Sequence, residues 1–515
     1  MSLFRPEEAI PNASGATPFG LGIRAVDNGH TLVIVTNGTS NGTGPVAIDV
    51  QFVDTATGDV SAPQIVTPRG SQFDQLSTAL WGDVNGGLGV YVAAWQDTDY
   101  AAAVGETDLC AVRFYSPNTK RWEDITVGPR LMMNGGMVEQ KPVHVLRLTS
   151  GRFLVVYNAW EPNVGVAQIR GRLFDPVTLT FTSDTLLYQG TAGVDDYTNH
   201  PMYACARVGG VRDEAHLLVY NDPLTAATDT AIHLSIVDVT PTRKAGALAC
   251  AGQLVVLGGR TFCISPETVV SESTNILRES MGIGIRDDGS LLAFYWQKFD
   301  LDPTKYDRLY YTTKLAGDTA WSQGHLFRDW QELYGLVGPP TVPGFLNCSG
   351  VDVVGHGQSW HFVWDEQRNS SPGDGNADVF YGRITFPFTA PLPPGPPQAF
   401  IILTDIVQLN PDHGGTYADV QPKLALSVVT QELVPVWADN VYESTARGDV
   451  SAKWAPCSEC LESTEEPTGL ESGSGECVSV ICAGADSPDS ATPLETQAEA
   501  VVVGTGLRNA DWLVP

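Results

Sequence analysis

Positively charged residues are scarce in this chain. Its 515 residues include 30 lysines and arginines against 59 aspartates and glutamates, which gives a formal net charge of −29 at pH 7. A surface of that sign repels nucleic-acid phosphates and anionic lipid headgroups. We therefore expect no nucleic-acid partner.

Long apolar runs are also missing. No stretch approaches the roughly 18 consecutive apolar residues of a transmembrane helix, so we expect no membrane insertion. The first residues, MSLFRPEEAIPNAS, lack the cationic segment and apolar run of a secretory signal. This start is compatible with a cytoplasmic protein, with a leaderless virion component and with a trimmed mature form.

Cysteine is sparse, with nine residues in the whole chain, too few for a disulfide scaffold. Five cysteines lie in apolar, strand-like segments, where a thiol usually packs as a small hydrophobic group. These predicted core thiols are Cys110, Cys205, Cys250, Cys263 and Cys348. His216, His233 and His361 also lie in strand patterns, and we expect them to be packed and hydrogen-bonded. H-E-x-x-H, G-x-S-x-G and phosphate-loop motifs are missing, which leaves nucleophilic and nucleotide-dependent catalysis without support.

One two-strand motif recurs seven times along the chain. Its second strand is an apolar run that usually ends in an aromatic residue followed by a polar one. The seven runs are TLVIVTNG (31–38), VYVAAWQD (90–97), RFLVVYNAW (152–160), HLLVYND (216–222), SLLAFYWQ (290–297), SWHFVWDE (359–366) and ELVPVWADN (432–440). The aromatic residues of the last six copies are 62 to 75 residues apart. That spacing holds four strands and their loops and is too long for a solenoid repeat.

Each apolar run is followed by a polar loop and then by an alternating strand, as at 167–175 and 377–386. One blade cannot cover both faces of its own sheet, so the copies must stack in a ring. We predict an all-β fold, a β-propeller of about seven four-stranded blades over residues 15–455, preceded by an N-terminal arm at 1–14. A β-sandwich is the structural alternative, although sandwiches need no repeat of this period.

The sixth copy, FVWDEQRNSSPGDGNADVFYGRITF (362–386), resembles the W-D-x-R-N…D-I-Y-x-x-R repeat of bacterial and phage-associated propellers. The seventh, VWADNVYESTARGDVSAKW, resembles it more loosely. These families overlap with sialidase-like propellers, and the resemblance implies an architecture more than an activity. The sialidase catalytic set is not matched at most positions. The nearest Asp-box, LAGDTAWS (315–322), keeps Asp318 and Trp321 but lacks the leading Ser and the central Gly.

Polar loop residues of the copies are expected to converge on one face of the propeller, because the loops between second and third strands emerge together. Carboxylates interleaved with aromatic rings can bind sugars there by stacking and hydrogen bonding. The candidate ligand-binding residues are Asp97, Asp99, Trp160, Glu161, Asp222, Asp365, Arg368, Asp439 and Tyr442. The alternative for each copy is that the polar residue after the aromatic only caps a turn. No catalytic residue is assigned.

The segment SPGDGNADV places Asp374, Asn376 and Asp378 at alternate positions, the spacing at which acidic loops offer oxygens to Ca²⁺. Three oxygens do not complete a calcium site, and the downstream Glu of an EF-hand loop is missing. A calcium site and a solvated turn are the two interpretations of this segment.

After Trp454 the composition changes to a tail at 456–515 that is rich in Ser, Thr, Gly and Glu. From Ala455 on, eleven acidic residues face one basic residue, a net charge of −10. The tail cysteines have the spacing C-x2-C-x16-C-x4-C and are Cys457, Cys460, Cys477 and Cys482. A zinc site, two disulfides and free thiols are all open. Two apolar stretches, 476–482 and 500–506, are suited to strand addition to another chain.

The leading functional hypothesis is non-enzymatic: a propeller that binds a glycan or a protein partner, or that acts in structural assembly as a homo-oligomer or part of a larger complex. The resemblance favours an extracellular or virion component. The alternative is a sialidase-like glycoside hydrolase or lyase that acts on an extracellular polysaccharide. An enzyme of that kind should pair one carboxyl group of raised pKa with one ordinary carboxylate.

Overall fold

The computed structural model describes the strands and the short segments that join some of them. The described ranges are 8–10, 17–25, 31–39, 46–54, 64–65, 73–81, 90–97, 110–116, 121–124, 143–161, 166–175, 178, 180–189, 195–196, 202–223, 230–241, 248–265, 268–270, 276–297, 308–329, 346–347, 351–357, 359–368, 377–385, 407–409, 420–427, 432–439, 449–452 and 455–456. These residues contain strands and no helix, and none of them belongs to a helix that could cross a membrane. The all-β prediction is confirmed for this part of the chain.

The chain divides into two units, Ser2–Trp454 on the one hand and Ala455–Pro515 with Met1 on the other. In the larger unit the described strands form seven sheets, which we number in chain order. The first strand of the chain is β1 (Glu8–Ile10). The first sheet contains β2 (Thr17–Ala25), β3 (Thr31–Thr39), β4 (Val46–Asp54) and β5 (Gln64–Ile65), and the second contains β6 (Phe73–Trp81), β7 (Val90–Asp97), β8 (Cys110–Ser116) and β9 (Arg121–Asp124).

The third and fourth sheets carry additional short strands. The third contains β10 (Val143–Arg147), β11 (Phe153–Glu161), β12 (Val166–Asp175), β13 (Thr180–Phe181) and β14 (Thr185–Gln189). The fourth contains β15 (Asp195–Asp196), β16 (Met202–Ala206), β17 (Glu214–Pro223), β18 (Thr230–Asp238), β19 (Gln253–Leu257), β20 (Arg260–Ile264) and β21 (Thr268–Val269). The hairpin of β19 and β20 extends the fourth sheet outward, because β20 pairs with β18.

The fifth sheet contains β22 (Ile276–Ile285), β23 (Leu291–Gln297), β24 (Arg308–Lys314) and β25 (His325–Asp329). The sixth contains β26 (Leu346–Asn347), β27 (Val351–His356), β28 (Ser359–Arg368), β29 (Ala377–Thr385) and β30 (Val407–Gln408). The seventh contains β31 (Val420–Ser427), β32 (Glu432–Asp439) and β33 (Asp449–Ala452). In the smaller unit, β34 (Ala455–Pro456) is described.

The seventh sheet takes its outer strand from the other end of the chain. Strand β1 pairs antiparallel with β33, with Glu8 opposite Ala452 and Ile10 opposite Val450. The predicted N-terminal arm therefore supplies a strand to the last sheet. Strand β1 directly precedes the first sheet along the chain, and its backbone hydrogen bonds with β33 hold it in the last sheet. The pairing therefore links the two ends of the larger unit.

Successive sheets pack face to face. The innermost strand of each sheet contacts the innermost strand of the next, in the order β2, β6, β10, β16, β22, β27 and β31, and β31 contacts β2. Sheets that stack in this way around their innermost strands form a β-propeller. The predicted propeller fold is confirmed.

We call the strand that follows the innermost one in each sheet its second strand; these are β3, β7, β11, β17, β23, β28 and β32. The second strand is apolar because it has a paired strand on either side and a neighbouring sheet on both faces. In β11 the five residues from Phe153 to Tyr157 have an exposed fraction of 0%. The strand aromatics identified in the sequence are also buried where their side chains are described. They are Tyr157, Tyr220, Tyr295, Trp364 and Trp437.

We call the packed layer between two adjacent sheets a seam. The third–fourth seam is mainly apolar, with the half-buried His144 bonded across it to the backbone of Met202. Its apolar residues are Leu154, Val156, Ile169, Leu187, Leu217, Val219, Ile232, Leu234, Val255, Leu257 and Phe262. The fourth–fifth seam contains Leu218, Tyr220, Ala231, Met281, Ile283, Leu291 and Tyr295, with Cys205 and Trp321 packed against them. The fifth–sixth seam is aromatic and contains Phe294, Tyr311, Trp360, Phe362, Trp364 and Phe380, with Phe327 packed against them.

The innermost strands of the fifth and sixth sheets approach closely at glycines. A Cβ atom added to Gly282 would lie 2.5 Å from the carbonyl oxygen of Val351, and one added to Gly355 would lie 2.3 Å from that of Ile285. Real Cβ atoms do not come so close to backbone atoms. Glycine at these positions therefore sets how near the two strands can lie.

Two of the predicted core thiols are instead joined. Cys250 and Cys263 form a disulfide, with Cα atoms 5.5 Å apart, so the prediction of free thiols was wrong for this pair. The reason lies in the hairpin, which folds Cys263 of β20 back onto the segment just before β19. Apolar alternation along the sequence does not reveal such a partner. Cys205 is a half-buried free thiol, as expected, and burial together with the charge of Glu214 raises its pKa.

Candidate functional site at the loop end of the sheets

The loop end of the propeller is the end at which the second strands finish. Predicted ligand-binding residues occupy this position in five sheets: Asp97 ends β7, Glu161 ends β11, Arg368 ends β28, Asp439 ends β32, and Trp160 and Asp222 lie one residue before the ends of β11 and β17. Since the second strand runs in the same direction in every sheet, these positions lie at the same end of the propeller. The backbone thus brings the candidate positions to one side of the fold.

Several candidates lie outside the described residues. They are Asp99, Tyr442, Asp374, Asn376, Cys457, Cys460, Cys477 and Cys482. Asp378 lies in β29 opposite Glu366 of β28. The calcium and zinc hypotheses for these segments therefore stay predictions.

Asp365 is the predicted ligand-binding residue whose side chain is described, and it is buried, with an exposed fraction of 2%. In β28, Asp365 and His361 lie on the same face of the sheet, because their positions differ by an even number of residues. His361 hydrogen-bonds through Nδ1 to the hydroxyl of Tyr381 at 2.7 Å. Arg383 is paired opposite His361 and is also buried. Asp365 thus belongs to a buried polar layer of the sixth sheet.

That layer faces the seventh sheet. Asp352 of β27 lies on the same face, because it is paired with Val363, and its carboxylate accepts a hydrogen bond of 2.8 Å from the backbone N–H of Leu424 in β31. Burial, followed by the charges of Arg383 and His356, lowers the pKa of His361 to about 3. His361 is therefore neutral at ordinary pH and has a structural hydrogen bond.

A second polar network crosses the third sheet below Trp160 and Glu161. The hydroxyl of buried Tyr157 donates to Asp184, and Arg170 binds the other carboxylate oxygen of Asp184 through Nε and Nη2, both at 2.7 Å. Arg170 also donates to Gln168 at 2.7 Å. The guanidinium of Arg170 balances the negative charge of Asp184, and the hydroxyl of Tyr157 donates its proton to the same carboxylate. Sequence reasoning missed this cluster because its members come from two strands, β11 and β12, and from the turn before β14.

A third polar cluster lies in the fourth–fifth seam. His216 Nδ1 and His233 Nε2 are 3.0 Å apart, the two rings stack, and His216 Nε2 lies 3.1 Å from the carboxylate of Glu214. The ring of His233 meets the edge of Trp321 from the fifth sheet, with centroids 5.1 Å apart. Burial and then the charges of His216 and Lys314 lower the pKa of His233 well below its ordinary value. The expectation that strand histidines are packed is confirmed.

The turns at the opposite end of the sheets hold adjacent sheets together. Arg207, after β16, donates to the carbonyl oxygen of Asp287 in the β22–β23 turn at 2.9 and 2.5 Å. In the same turn, buried Arg286 places its guanidinium 4.2 Å above the ring of Trp360 in the sixth sheet and binds Asp288 at 2.7 Å. These contacts stabilise the packing of adjacent sheets, and the charged groups of Arg207, Arg286 and Asp288 all have partners within the protein.

Among the described residues, the carboxyl groups whose pKa is shifted all have a lowered pKa. Burial raises the pKa of Glu214, but bonds from His216 and Arg207 outweigh it and the net shift is downward. A hydrogen bond from His356 lowers the pKa of Asp287, and those from Arg286 and Ser290 outweigh burial at Asp288. All three groups stay ionised, whereas a general acid needs a raised pKa. Among the described residues, no group of three His, Cys, Asp or Glu side chains could hold a metal ion.

The chain matches no protein-family model and no curated protein sequence. Solved structures resemble it at low identity. They include the polysaccharide lyase Uly1, with a TM-score of 0.49 and 8% identity over 87% of this chain and 91% of that one. The β-propeller domain of the trilobed protease from Pyrococcus furiosus has a TM-score of 0.41 and 7% identity over 85% and 93%. An α-L-arabinanase from Penicillium chrysogenum has a TM-score of 0.38 and 12% identity over 72% and 91%.

Proposed function

We propose that this chain is a single closed ring of seven blades that binds a glycan or a protein through its loop end without catalysing a reaction. The seven sheets, the contacts between their innermost strands and the pairing of β1 with β33 support the closed ring. Closure by strands from both ends of the chain gives a rigid platform, because the ring cannot open without breaking that pairing.

The observation that carries the binding function is the repeated position at the loop end. Asp97, Glu161, Asp222 and Asp439 end or nearly end the second strands of four sheets, and Trp160 and Arg368 add an aromatic and a cationic group. Carboxylates hydrogen-bond sugar hydroxyls, and aromatic rings stack on sugar faces. With a net charge of −29, the chain favours a neutral glycan or a cationic protein surface over a polyanion.

Two observations support a non-catalytic role over the glycoside hydrolase or lyase. The described carboxyl groups with a shifted pKa, Glu214, Asp287 and Asp288, are held ionised. The described histidines with lowered pKa values are buried between sheets and hydrogen-bonded within the protein. These groups therefore stabilise the fold and do not supply the proton donor of a glycosidase.

The Cys250–Cys263 disulfide supports an extracellular or virion location, because disulfides form and persist in oxidising compartments. We further propose that the acidic tail at 456–515 serves in assembly with other copies or partners. Its four cysteines would be fixed there by zinc or by disulfides.

A glycan array with the intact protein tests the binding function. Saturable binding is expected, and the triple variant Asp97→Asn, Asp222→Asn, Asp439→Asn should lose it. Asp318→Asn is the matched control, because it removes one exposed carboxylate from the β24–β25 turn at the opposite end. Each glycan that binds is then incubated with the protein and analysed by mass spectrometry. Shortened or unsaturated products would replace this proposal with the hydrolase or lyase, and equal binding by the triple variant would exclude the loop end.

A further inference from the structure

The His216–His233 pair is a chemical feature that the proposed binding function does not use. Both side chains are buried, with exposed fractions of 4% and 1%, in the seam between the fourth and fifth sheets. A hydrogen bond between two imidazoles needs one ring to donate and the other to accept. The pair can therefore carry one added proton but not two without losing that bond.

Of the two rings, His216 is the one that lies beside a carboxylate. Its Nε2 faces the carboxylate of Glu214 at 3.1 Å, so a charged His216 gains an ion pair and can donate through Nδ1 to His233. A proton on Nε2 of His233 would instead point at Nδ1–H of His216, 3.0 Å away. Two like charges would then lie side by side in stacked rings, in a layer that excludes water.

The surroundings of His233 oppose its charge further. Among the described side chains, the charged and titratable groups that face the pair are Tyr203, Cys205 and Arg207 from β16 and the turn after it, Glu214 from β17, and Tyr310 and Lys314 from β24. The cationic Lys314 acts on His233, while Arg207 lies 3.6 Å from Glu214 and shares its negative charge. Glu214 is thus committed to His216 and Arg207 and does not face His233.

The same seam has an unsatisfied polar group on its other side. The indole nitrogen of Trp321, which packs on His233, is buried without a hydrogen-bond partner among the described residues. A buried donor without a partner costs about 1–3 kcal/mol, and opening the seam would return it to water. The fifth sheet is therefore held here by fewer polar bonds than its side chains could make.

We propose that the His216–His233 pair makes the fourth–fifth seam an acid-sensitive joint, which opens locally when His233 takes up a proton. The closed seam holds His233 neutral, whereas an opened seam lets it bind a proton near its ordinary pKa of about 6.5. Opening is therefore linked to proton uptake, and it becomes about tenfold more favourable for each pH unit below about 6.5. The third–fourth seam contains one described histidine, the half-buried His144 of β10, which bonds through Nε2 to the carbonyl oxygen of Met202. Its described residues include no buried pair of histidines, and we expect this seam to stay closed.

Hydrogen exchange of the intact protein, resolved by peptide and corrected for the intrinsic effect of pH, tests the joint between about pH 7.5 and about pH 5. Peptides from β18 and β22 should lose protection by about tenfold per pH unit below about 6.5. Peptides from β12 and β14, which line the third–fourth seam, should not.

His233→Gln should abolish the pH dependence in β18 and β22 and leave the protection at about pH 7.5 within a few-fold of wild type. His233→Asn, which also cannot take up a proton, serves in place of His233→Gln if that variant fails to fold. The matched control is His361→Gln, which removes a buried histidine from the face toward the seventh sheet and should leave β18 and β22 acid-sensitive. Equal loss of protection in both seams of the wild type, or a pH dependence that survives the folded His233 variant, would overturn the proposal.

Discussion

The third–fourth seam and the fourth–fifth seam are formed by the two faces of the same sheet, yet they differ in chemistry. On one face of the fourth sheet, Leu217, Val219 and Ile232 pack against the third sheet in an apolar layer. A half-buried histidine of the third sheet, His144, bonds to the backbone of Met202 at the innermost strands of this seam. On the other face, His216 and His233 interrupt the apolar layer. An apolar seam gains stability that hardly depends on pH, whereas a seam with a buried neutral histidine loses stability in acid.

The difference follows from strand alternation. Successive residues of β17 point to opposite faces, so His216 and Leu217 enter different seams although they are neighbours in the sequence. The polar residue is tolerated because Glu214 and His233 satisfy the ring nitrogens of His216. A one-residue slip in the register of β17 would exchange the two sets of residues, so the contrast between the seams also fixes the register.

The largest effect on an apolar seam should come from Phe362→Ala. Phe362 has an exposed fraction of 0% and packs on Phe294 and Phe327 of the fifth sheet, with centroids 4.6 and 5.3 Å away. Removing the ring leaves a cavity and should lower the free energy of unfolding by about 3–5 kcal/mol. Urea denaturation followed by tryptophan fluorescence measures this. Leu315→Ala, at a partly exposed position, should cost far less, and equal losses would contradict the assignment of Phe362 to the core.

The next largest effect is expected for the disulfide of the β19–β20 hairpin, which belongs to the fourth sheet. Val255, Leu257 and Phe262 of β19 and β20 pack in this seam, and the Cys250–Cys263 disulfide closes the hairpin over a separation of 13 residues. The double variant Cys250→Ser, Cys263→Ser should lose about 3 kcal/mol, because the unfolded chain gains the freedom that the crosslink removed. Dithiothreitol should lower the wild type to the same stability and leave the double variant unchanged. A wild type that is insensitive to reduction would contradict the disulfide.

A smaller effect is expected where the innermost strands meet. Gly282→Ala places a Cβ atom 2.5 Å from the carbonyl oxygen of Val351, and backbone cannot move aside as a side chain can. We expect a loss of about 2 kcal/mol, measured as a shift in the urea midpoint. Gly210→Ala is the control, since its Cβ would meet the flexible side chain of Arg207 at 3.2 Å. If both variants lost the same stability, a general effect of replacing glycine would explain the result, and the close approach of the two strands would not.

The repeat in the sequence predicted much of this architecture. Apolar runs ending in an aromatic became second strands, and the alternating segments at 167–175 and 377–386 became β12 and β29, within a residue or two of the predicted ends. Periodicity works here because the central strand of each sheet is buried on both faces and the third strand alternates. The order of apolar and polar residues along each strand therefore reflects which of its side chains the fold buries.

The polar clusters could not be predicted in the same way. Asp365 looked like a loop residue because it follows Trp364, but β28 continues three residues further, to Arg368, and buries it. The partners Tyr157 and Asp184, or His233 and Trp321, are far apart in sequence and meet only through sheet pairing and stacking. The strand β1 was likewise hidden, since three residues next to a proline-containing arm carry little pattern of their own.

The seam comparison can also be sharpened at His361, the buried histidine of the sixth sheet. Its pKa of about 3 in the folded protein lies below the ordinary value of about 6.5 in the unfolded chain. Below about pH 6.5 the unfolded chain binds a proton that the folded protein does not, so stability falls as the pH is lowered toward about 3. Above about pH 6.5 both states are neutral and this contribution is constant.

His361→Gln should therefore reduce the acid loss of stability by about 1.4 kcal/mol per pH unit in that window. Urea denaturation of both proteins at about pH 7 and about pH 5.5 gives the difference directly, and His216 and His233 cancel because both proteins contain them. Glutamine can still hydrogen-bond to the hydroxyl of Tyr381, so most of the polar contact of His361 is kept in the variant at neutral pH. Parallel pH profiles would mean that His361 is protonated in the folded state and that Arg383 does not exclude its charge.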